Sequence, residues 1–344
     1  MTNVFKYSVS VFFTLFFLVK ASAQSEKSKF DTSYIEVHPE VMGMRTYLSH
    51  KFTDLNVNLP NGGNQFRYEP NSGLNMGLGF TYQNFTLNIA GPIGFLNPDR
   101  QKDWPKYWDL QVHAYPQKWI IDFLGQFYTG YTIDPEYLAN SDEKYLREDM
   151  KLVTIGLNAN YLFNGERLSL ASSFNQASIQ KKSAFSPFIG FEAYGGSVKG
   201  DSLLIPSFEL MNQGMNFDKS RYFLAGPNAG LAGTLVFGGG FFLTGVASVN
   251  LSGGFTEWQN QDTITKWGVI PTYFLRGFAG FNNRRFSVNV NYVYKNSNLV
   301  RNENYLHSVN TGNYRVNLVY KISVGPKFER FFAKINPTRL FKKN

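Results

Sequence analysis

Three residues have side chains that could do acid–base chemistry together: His113, Asp109 and Asp122. A histidine oriented by a carboxylate can serve as a general base in acyl transfer or in peptide hydrolysis. The chain, however, has 0 cysteines and 4 histidines, places no serine in a recognisable catalytic motif, and shows no metal-ligand spacing. The sequence therefore predicts no enzymatic activity, no metal site and no cofactor.

These three residues belong to a larger set of ionisable residues that lie in stretches of alternating polar and apolar residues. The set is Arg45, Asp109, His113, Asp122, Glu192, Arg276, Lys295, Arg315 and Lys321. In a β-strand, alternation places such side chains on the face opposite the apolar one. Two interpretations are open: charges of mixed sign that pair into a structural network, or a charged constriction that selects solutes.

The alternating stretches are long enough to be transmembrane strands. In NYRVNLVYKI, Tyr314, Val316 and Leu318 face one way, and Arg315 and Asn317 face the other. Such stretches reach the about nine to eleven residues of a tilted transmembrane strand. Strands of a soluble β-sandwich are typically shorter, so the apolar faces are expected to meet lipid.

Short turns alternate with longer polar segments, as in up-and-down barrels of the outer membrane. Short turns are predicted at 83–84, 116–117, 164–165, 199–201, 238–240 and 282–283, and long segments near 51–71, 92–106, 132–149, 181–185, 211–220, 254–266 and 297–307. The fold prediction is an all-β, antiparallel, up-and-down transmembrane β-barrel of about fourteen strands. If segment 203–209, which contains Pro206, is not a strand, twelve are left.

The N-terminal residues MTNVFKYSVSVFFTLFFLVKASAQ have the composition of a secretory signal peptide, with Lys6 before an apolar run and small residues at 21–23. The predicted organisation is a signal peptide over 1–23, a short periplasmic segment over 24–38, the barrel over 39–324 and a basic periplasmic tail over 325–344. An exported barrel of this kind belongs in the outer membrane of a Gram-negative bacterium, in contact with its lipid and lipopolysaccharide.

The predicted tail explains much of the net charge of +9, because it holds six cations against Glu329 alone. The basic balance therefore does not indicate a nucleic-acid partner. Phe328, Phe331, Phe332 and Ile335 have the spacing of a short amphipathic helix that Pro337 would end. This helix could lie on the membrane surface, bind a periplasmic partner or enter the lumen, or the tail could be a disordered basic end.

One predicted surface loop, over 133–151, is rich in acids. They are Asp134, Glu136, Asp142, Glu143, Glu148 and Asp149. Carboxylates can bind a divalent cation that bridges to lipopolysaccharide, but their spacing matches no EF-hand loop. The sequence favours a solvated charged face without a metal.

Three further segments resemble a family of bacterial outer-membrane barrel proteins that is catalogued as a domain of unknown function. They are DTSYIEV at 31–37, YEPNSGLNMGLGFTY at 68–82 and GDSLLIPSF at 200–208. The resemblance covers most of the chain after the predicted signal peptide. It implies the fold and the location and leaves the function open.

Two functions are compatible with the sequence. The first is a porin-like passive conduit for small polar solutes through the lumen. The alternative is a non-conducting structural or interaction barrel that recruits partners through its acidic external loops or its basic tail. A lumen that is blocked by paired charges would favour the second.

Overall fold

Period-two alternation of apolar and polar residues folds most of the chain into β-strands. The computed structural model describes residues 30–58, 65–82, 85–97, 106–138, 141–206, 217–260, 262–301 and 306–335. The strands are β1 (Ile35–Val37), β2 (Val41–Asn58), β3 (Gln65–Pro70), β4 (Asn75–Tyr82), β5 (Phe85–Pro92), β6 (Lys106–Ala114), β7 (Trp119–Ile133), β8 (Tyr145–Leu162), β9 (Ser178–Gln180), β10 (Ala184–Lys199), β11 (Lys219–Val236), β12 (Phe241–Gln259), β13 (Thr263–Asn282), β14 (Phe286–Asn298) and β15 (Leu306–Ser323). Two α-helices are described, α1 (Leu170–Phe174) and α2 (Pro326–Ile335). The predicted signal peptide, the turn at 83–84 and the tail beyond residue 335 lie outside the described residues.

The strands form a closed antiparallel barrel. Its ring consists of β2, β3, β7, β8, β10, β11, β12, β13, β14 and β15, and it closes where β15 pairs with β2 from Leu306↔Asn58 to Ser323↔Val41. Three further strands of the same sheet lie outside the ring: β4 pairs with β2, β5 with β4, and β6 with β7. Strand β3 bridges β2 and β7 over only part of their length, and β4 and β6 run beside the rest of them.

The structure does not confirm fourteen strands. The chain between β8 and β10 forms α1 and the short strand β9, which pairs with β1 and not with the wall. The part of segment 203–209 that is described, up to Pro206, has no strand pairing, because proline cannot donate to a ladder. The turn predicted at 199–201 is therefore the start of a long connection, 200–218.

The ends of the barrel differ in their connections. The end where β2 begins and β15 finishes is called the turn end, and its described connections are 115–118, 163–183, 237–240 and 283–285. The opposite end, called the loop end, has connections at 59–64, 134–144, 200–218, 260–262 and 299–305. The predicted long segment 254–266 is mostly strand, because alternation continues to Gln259 and resumes at Thr263.

The two faces of the wall have opposite character, as alternation predicts. On β15, Tyr314 is 52% exposed and Leu318 is 51% exposed, whereas Asn317 between them is 2% exposed. The same pattern on the other strands leaves many large apolar side chains on the outside, among them Leu78, Trp108, Leu231, Val249 and Trp267. Polar side chains such as Thr244 and Asn289 are buried inside. The outside is therefore an apolar belt around a polar interior.

The C-terminal part forms a unit separate from the barrel, which spans residues 30–323. Helix α2 lies where the spacing of the phenylalanines predicts a helix, and Phe328 stacks on Phe332 with ring centroids 6.1 Å apart. Neither helix in the described part of the chain is long and apolar enough to cross a bilayer.

Candidate functional site

A buried ion pair crosses the middle of the barrel. Asp122 on β7 and Arg276 on β13 come from opposite sides of the ring, and the guanidinium donates to both carboxylate oxygens, one at 3.1 Å. His113 Nδ1 lies 2.7 Å from Asp122 Oδ1, and Asn158 donates to Oδ2 at 3.1 Å. Arg276 also donates to the Tyr115 hydroxyl at 2.7 Å. Every oxygen of Asp122 thus has a partner, as a buried carboxylate requires.

A second ion pair joins Glu192 on β10 to Lys295 on β14. The ammonium lies 2.6 Å from Glu192 Oε1, and both side chains are 2% exposed. Thr272 donates to the same carboxylate at 3.0 Å, and the Tyr194 ring centroid lies 3.9 Å from the ammonium. A cation over an aromatic face gains electrostatic stabilisation beyond the ion pair.

Asp109 does not join His113, although alternation puts both on the inner face of β6. It accepts hydrogen bonds from Lys51 at 2.9 Å, Gln126 at 3.1 Å and Tyr128 at 2.7 Å. Lys51 was not among the residues singled out from the sequence. Alternation could have identified Lys51, because it lies an even number of residues from Arg45 on β2 and therefore on the same face.

Three predicted inward cations form no ion pair with a carboxylate among the described residues. Arg45 donates to the carbonyl of Asn175 at 2.9 Å and to Gln176 Oε1 at 3.0 Å. Arg315 lies 4.5 Å from the centroid of the Tyr47 ring. Lys321 donates to Asn282 Oδ1 at 2.6 Å and to the carbonyl of Asn283 at 2.7 Å. Amide oxygens and rings therefore replace carboxylates as their partners.

The connection 163–183 folds into the turn end of the barrel and is called the plug. Helix α1 carries Phe174, whose ring centroid lies 5.0 Å from that of His113 and 4.8 Å from that of Tyr115. Asn282 of the wall donates to the plug carbonyls of Ser172 at 3.1 Å and Ser178 at 3.0 Å. The prediction of a short turn at 164–165 that leads directly into the next wall strand is wrong, because Leu170–Phe174 form a helix.

Apolar side chains fill the loop end and are called the cap. They come from the wall and from the loops at 203–206, 217 and 299–300, and they include Phe66, Tyr68, Tyr131, Leu204, Phe217 and Val300. Tyr131 donates to the carbonyl of Thr53 at 3.1 Å, and Tyr68 donates to the carbonyl of Leu204. Both rings are 0% exposed. The cap buries large aromatic surfaces without leaving their hydroxyls unpaired.

The acidic residues of the predicted loop are spread over a loop and a strand. Asp134, Glu136, Asp142 and Glu143 lie in the loop at 134–144, where Asp134 pairs with Lys144 at 3.0 Å. Glu148 and Asp149 lie in β8, because the strand begins at Tyr145. Asp149 accepts from Arg147 at 2.8 Å. No group of three or more potential ligands that could hold a metal is found among the described residues.

The model of the family described as "Domain of unknown function (DUF4421)" matches residues 29–322. The chain belongs to this family. The match covers the ring up to Ile322 of β15, the plug and the residues that carry both ion pairs. The comparison with curated proteins gives no match.

Solved barrels are similar to this family member only at low identity. The outer membrane protease OmpT from Escherichia coli is 13% identical, with a TM-score of 0.37, over 84% of this chain and 98% of the other. The translocator domain of autotransporter NalP from Neisseria meningitidis is 11% identical, with a TM-score of 0.37, over 81% and 88%. The P. putida toluene transporter TodX is 8% identical, with a TM-score of 0.25, over 84% and 92%.

Proposed function

We propose that the protein is a closed, non-conducting β-barrel of the outer membrane of a Gram-negative bacterium. The apolar belt supports a membrane location, since so large an exposed apolar surface would aggregate in water. Tyrosines also cluster on the outside, with Tyr292 and Tyr314 ring centroids 4.7 Å apart and Tyr273 and Tyr294 centroids 5.9 Å apart. Aromatic girdles of this kind are typical of the interfaces of a bilayer.

The observation that carries the proposal is the filling of the lumen in three layers. The cap occupies the loop end, the two ion pairs cross the middle, and the plug occupies the turn end. In the middle layer, the carboxylates of Asp122 and Glu192 bond to cations of the wall and not to solvent. The arrangement supports a barrel interior that acts as a core.

A porin-like conduit, the first hypothesis from the sequence, is less well supported. It would require the plug and the cap to leave the lumen together, and it would require the Asp122–Arg276 pair to separate. Opening the lumen would therefore cost the hydrogen bonds and the apolar burial that hold these groups in place. These costs favour the second hypothesis, an interaction barrel.

Two exposed elements are left for interactions: a loop at the loop end and the helix near the C-terminus. The loop at 134–144 presents exposed acids such as Asp142 and Glu143. Helix α2 presents the cations Lys327 and Lys334. We assign partner recruitment to these two elements and no catalytic role to His113. Its ring packs on Phe174 inside the filled lumen, and no hydroxyl nucleophile is hydrogen-bonded to it among the described residues.

The test is single-channel conductance of residues 24–344 refolded into a planar bilayer. We expect no stable current steps from protein that shows a heat-dependent gel shift, which marks a folded barrel. A porin inserted into the same bilayer controls for its quality. Stable ohmic steps from folded protein would contradict the closed barrel and return the conduit to first place.

A further inference from the structure

Three lysines stand side by side on the outside of the wall near the loop end. In the strand register, Lys199 of β10 lies opposite Lys151 of β8 on one side and opposite Lys219 of β11 on the other. Residues directly opposite each other on an antiparallel pair have Cβ atoms about 4.5–5.5 Å apart. The register therefore brings three ammonium groups into one row, called the lysine row.

Burial shows that the row faces outward. The neighbours Met150, Val198 and Ser220 are buried, whereas Lys151 and Lys199 are exposed and Lys219 is partly buried. Like charges directly opposite each other destabilise a sheet. A row of three is thus an unfavourable element unless an anion accompanies it.

The protein itself does not supply that anion in the described structure. None of the three lysines forms an ion pair with a described carboxylate, although Asp149, Asp201 and Asp218 are close to them in sequence. Asp149 is engaged by Arg147 at 2.8 Å and by the Asp201 amide at 2.7 Å. One step further from the loop end, Arg221 faces Glu257 at 3.8 Å, so that pair is close to neutral. The three ammonium groups of the lysine row thus have no ion-pair partner among the described residues.

The next outward residues toward the turn end are aromatic. Phe223, Phe255 and Trp267 lie opposite one another on β11, β12 and β13, and the rings of Phe255 and Trp267 have centroids 5.0 Å apart. Trp267 is 74% exposed. Such rings mark the interface of the hydrocarbon layer. Four residues of strand separate Lys219 from Phe223, about 13 Å along the strand, which puts the lysine row at the depth of lipid headgroups.

From this juxtaposition we infer that the lysine row binds phosphate groups of the phosphorylated glycolipid of the outer leaflet, lipopolysaccharide. Lysines are compact point charges that bind phosphate without a fixed geometry, which suits a lipid that diffuses along the wall. A phosphate bridging adjacent lysines also offsets their mutual repulsion. The inference rests on the proposed membrane location, with the loop end at the outer surface.

The test compares the folded protein with a triple variant, K151Q/K199Q/K219Q. Its matched control is K181Q/K182Q/K266Q, which removes three exposed lysines that lie outside the lysine row and outside the loop at 134–144. Unfolding temperatures are measured in zwitterionic detergent alone and with added bisphosphorylated lipid A, phosphatidylglycerol or inorganic phosphate. We expect lipid A to raise the unfolding temperature of wild type and control alike, and the shift to fall by at least half in K151Q/K199Q/K219Q.

The measurements with phosphatidylglycerol and with inorganic phosphate distinguish lipopolysaccharide from other sources of phosphate. Equal shifts with phosphatidylglycerol, or a full shift with inorganic phosphate, would overturn the assignment to the glycolipid. An equal lipid A shift in the triple variant and wild type would overturn the lysine row itself. Without lipid, relief of repulsion should leave the triple variant at least as stable as wild type. Conductance of the same preparations reports on the closed barrel independently, so the two proposals can fail separately.

Discussion

The two ends of the lumen are closed by different means. At the loop end, the cap is built from large apolar side chains of the wall and of the loops, among them Tyr68 and Tyr131 of the wall. At the turn end, the plug is an inserted connection with one short helix, and hydrogen bonds from Arg45 and Asn282 hold its carbonyls. Burial of apolar area stabilises the first, and directed polar contacts position the second.

Because the two ends are closed differently, changes to them should affect different properties: the stability of the whole barrel for the cap, and local order at the turn end for the plug. The cap joins side chains from most strands of the ring, so its loss should weaken the whole barrel. The plug leaves the ladder between β8 and β10 intact, from Phe188↔Leu162 to Lys199↔Lys151. Loosening the plug should therefore affect the turn end alone, and stability should not be uniform along the axis.

The largest effect is expected from Tyr131→Ala in the cap. The change removes a fully buried ring and leaves the carbonyl of Thr53 without its donor. Large-to-small changes of a buried aromatic cost about 3–5 kcal/mol. The free energy of unfolding, measured by urea titration in lipid vesicles with tryptophan fluorescence, should fall by that amount.

Tyr320→Ala is the matched control, because Tyr320 is 60% exposed on the outside of β15. Its effect should be much smaller than that of Tyr131→Ala. Equal losses for the two variants would show that the cap contributes no more than any aromatic residue of the wall.

Alternation of polar and apolar residues was enough to predict which wall residues face inward. The prediction failed where a helix or a short strand interrupts the long strands of the wall. All predicted inward ionisable residues lie on the inner face, because a period of two fixes the side of every strand residue once one face is apolar. Their partners could not be read in the same way. Lys295 reaches Glu192 across several strands, and only the closure of the ring sets that distance.

The plug and the strand count were missed for a related reason. The apolar residues Leu168, Leu170 and Phe174 resemble half of an alternating strand, but Ser172 and Ser173 between them are buried as well. When odd- and even-numbered residues of a segment are both buried, the segment is enclosed on all sides. The sequence pattern alone does not show such enclosure. The same limit hid β3, which is short and bridges β2 to β7 only near the loop end.

A smaller and more local effect is expected from Asn282→Ala at the plug. The amide donates to two plug carbonyls, and its oxygen accepts from Lys321. Leaving buried polar groups without partners costs about 1–3 kcal/mol. Amide hydrogen exchange should become faster over 166–180, while exchange in the cap is unchanged.

Asn317→Ala is the control for that variant. Asn317 is equally buried, but its amide bonds Asn289 within the wall at 2.8 Å. It should lower stability without a selective rise in exchange at the plug. If both variants speed exchange at the plug equally, the plug is not held by Asn282 in particular.

The smallest expected effect is a pH dependence of the stability of the plug, through two carboxyl groups on its solvent-facing side. The Lys118 ammonium, 2.8 Å from Glu166, lowers the pKa of that carboxyl, and the Ser33 hydroxyl lowers the pKa of Asp31, which also faces Arg167 at 3.3 Å. Because folding lowers both pKa values, their stabilisation is fully present above the unfolded values of 4.5 and 3.8 and is lost as the pH falls below them. Glu166 is exposed and Asp31 is partly exposed, so the change is small. Protection of plug amides, corrected for intrinsic exchange, should decrease below about pH 4, and Glu166→Gln should flatten that decrease. An equal decrease in Glu166→Gln and in wild type would show that the contact between Lys118 and Glu166 does not stabilise the plug.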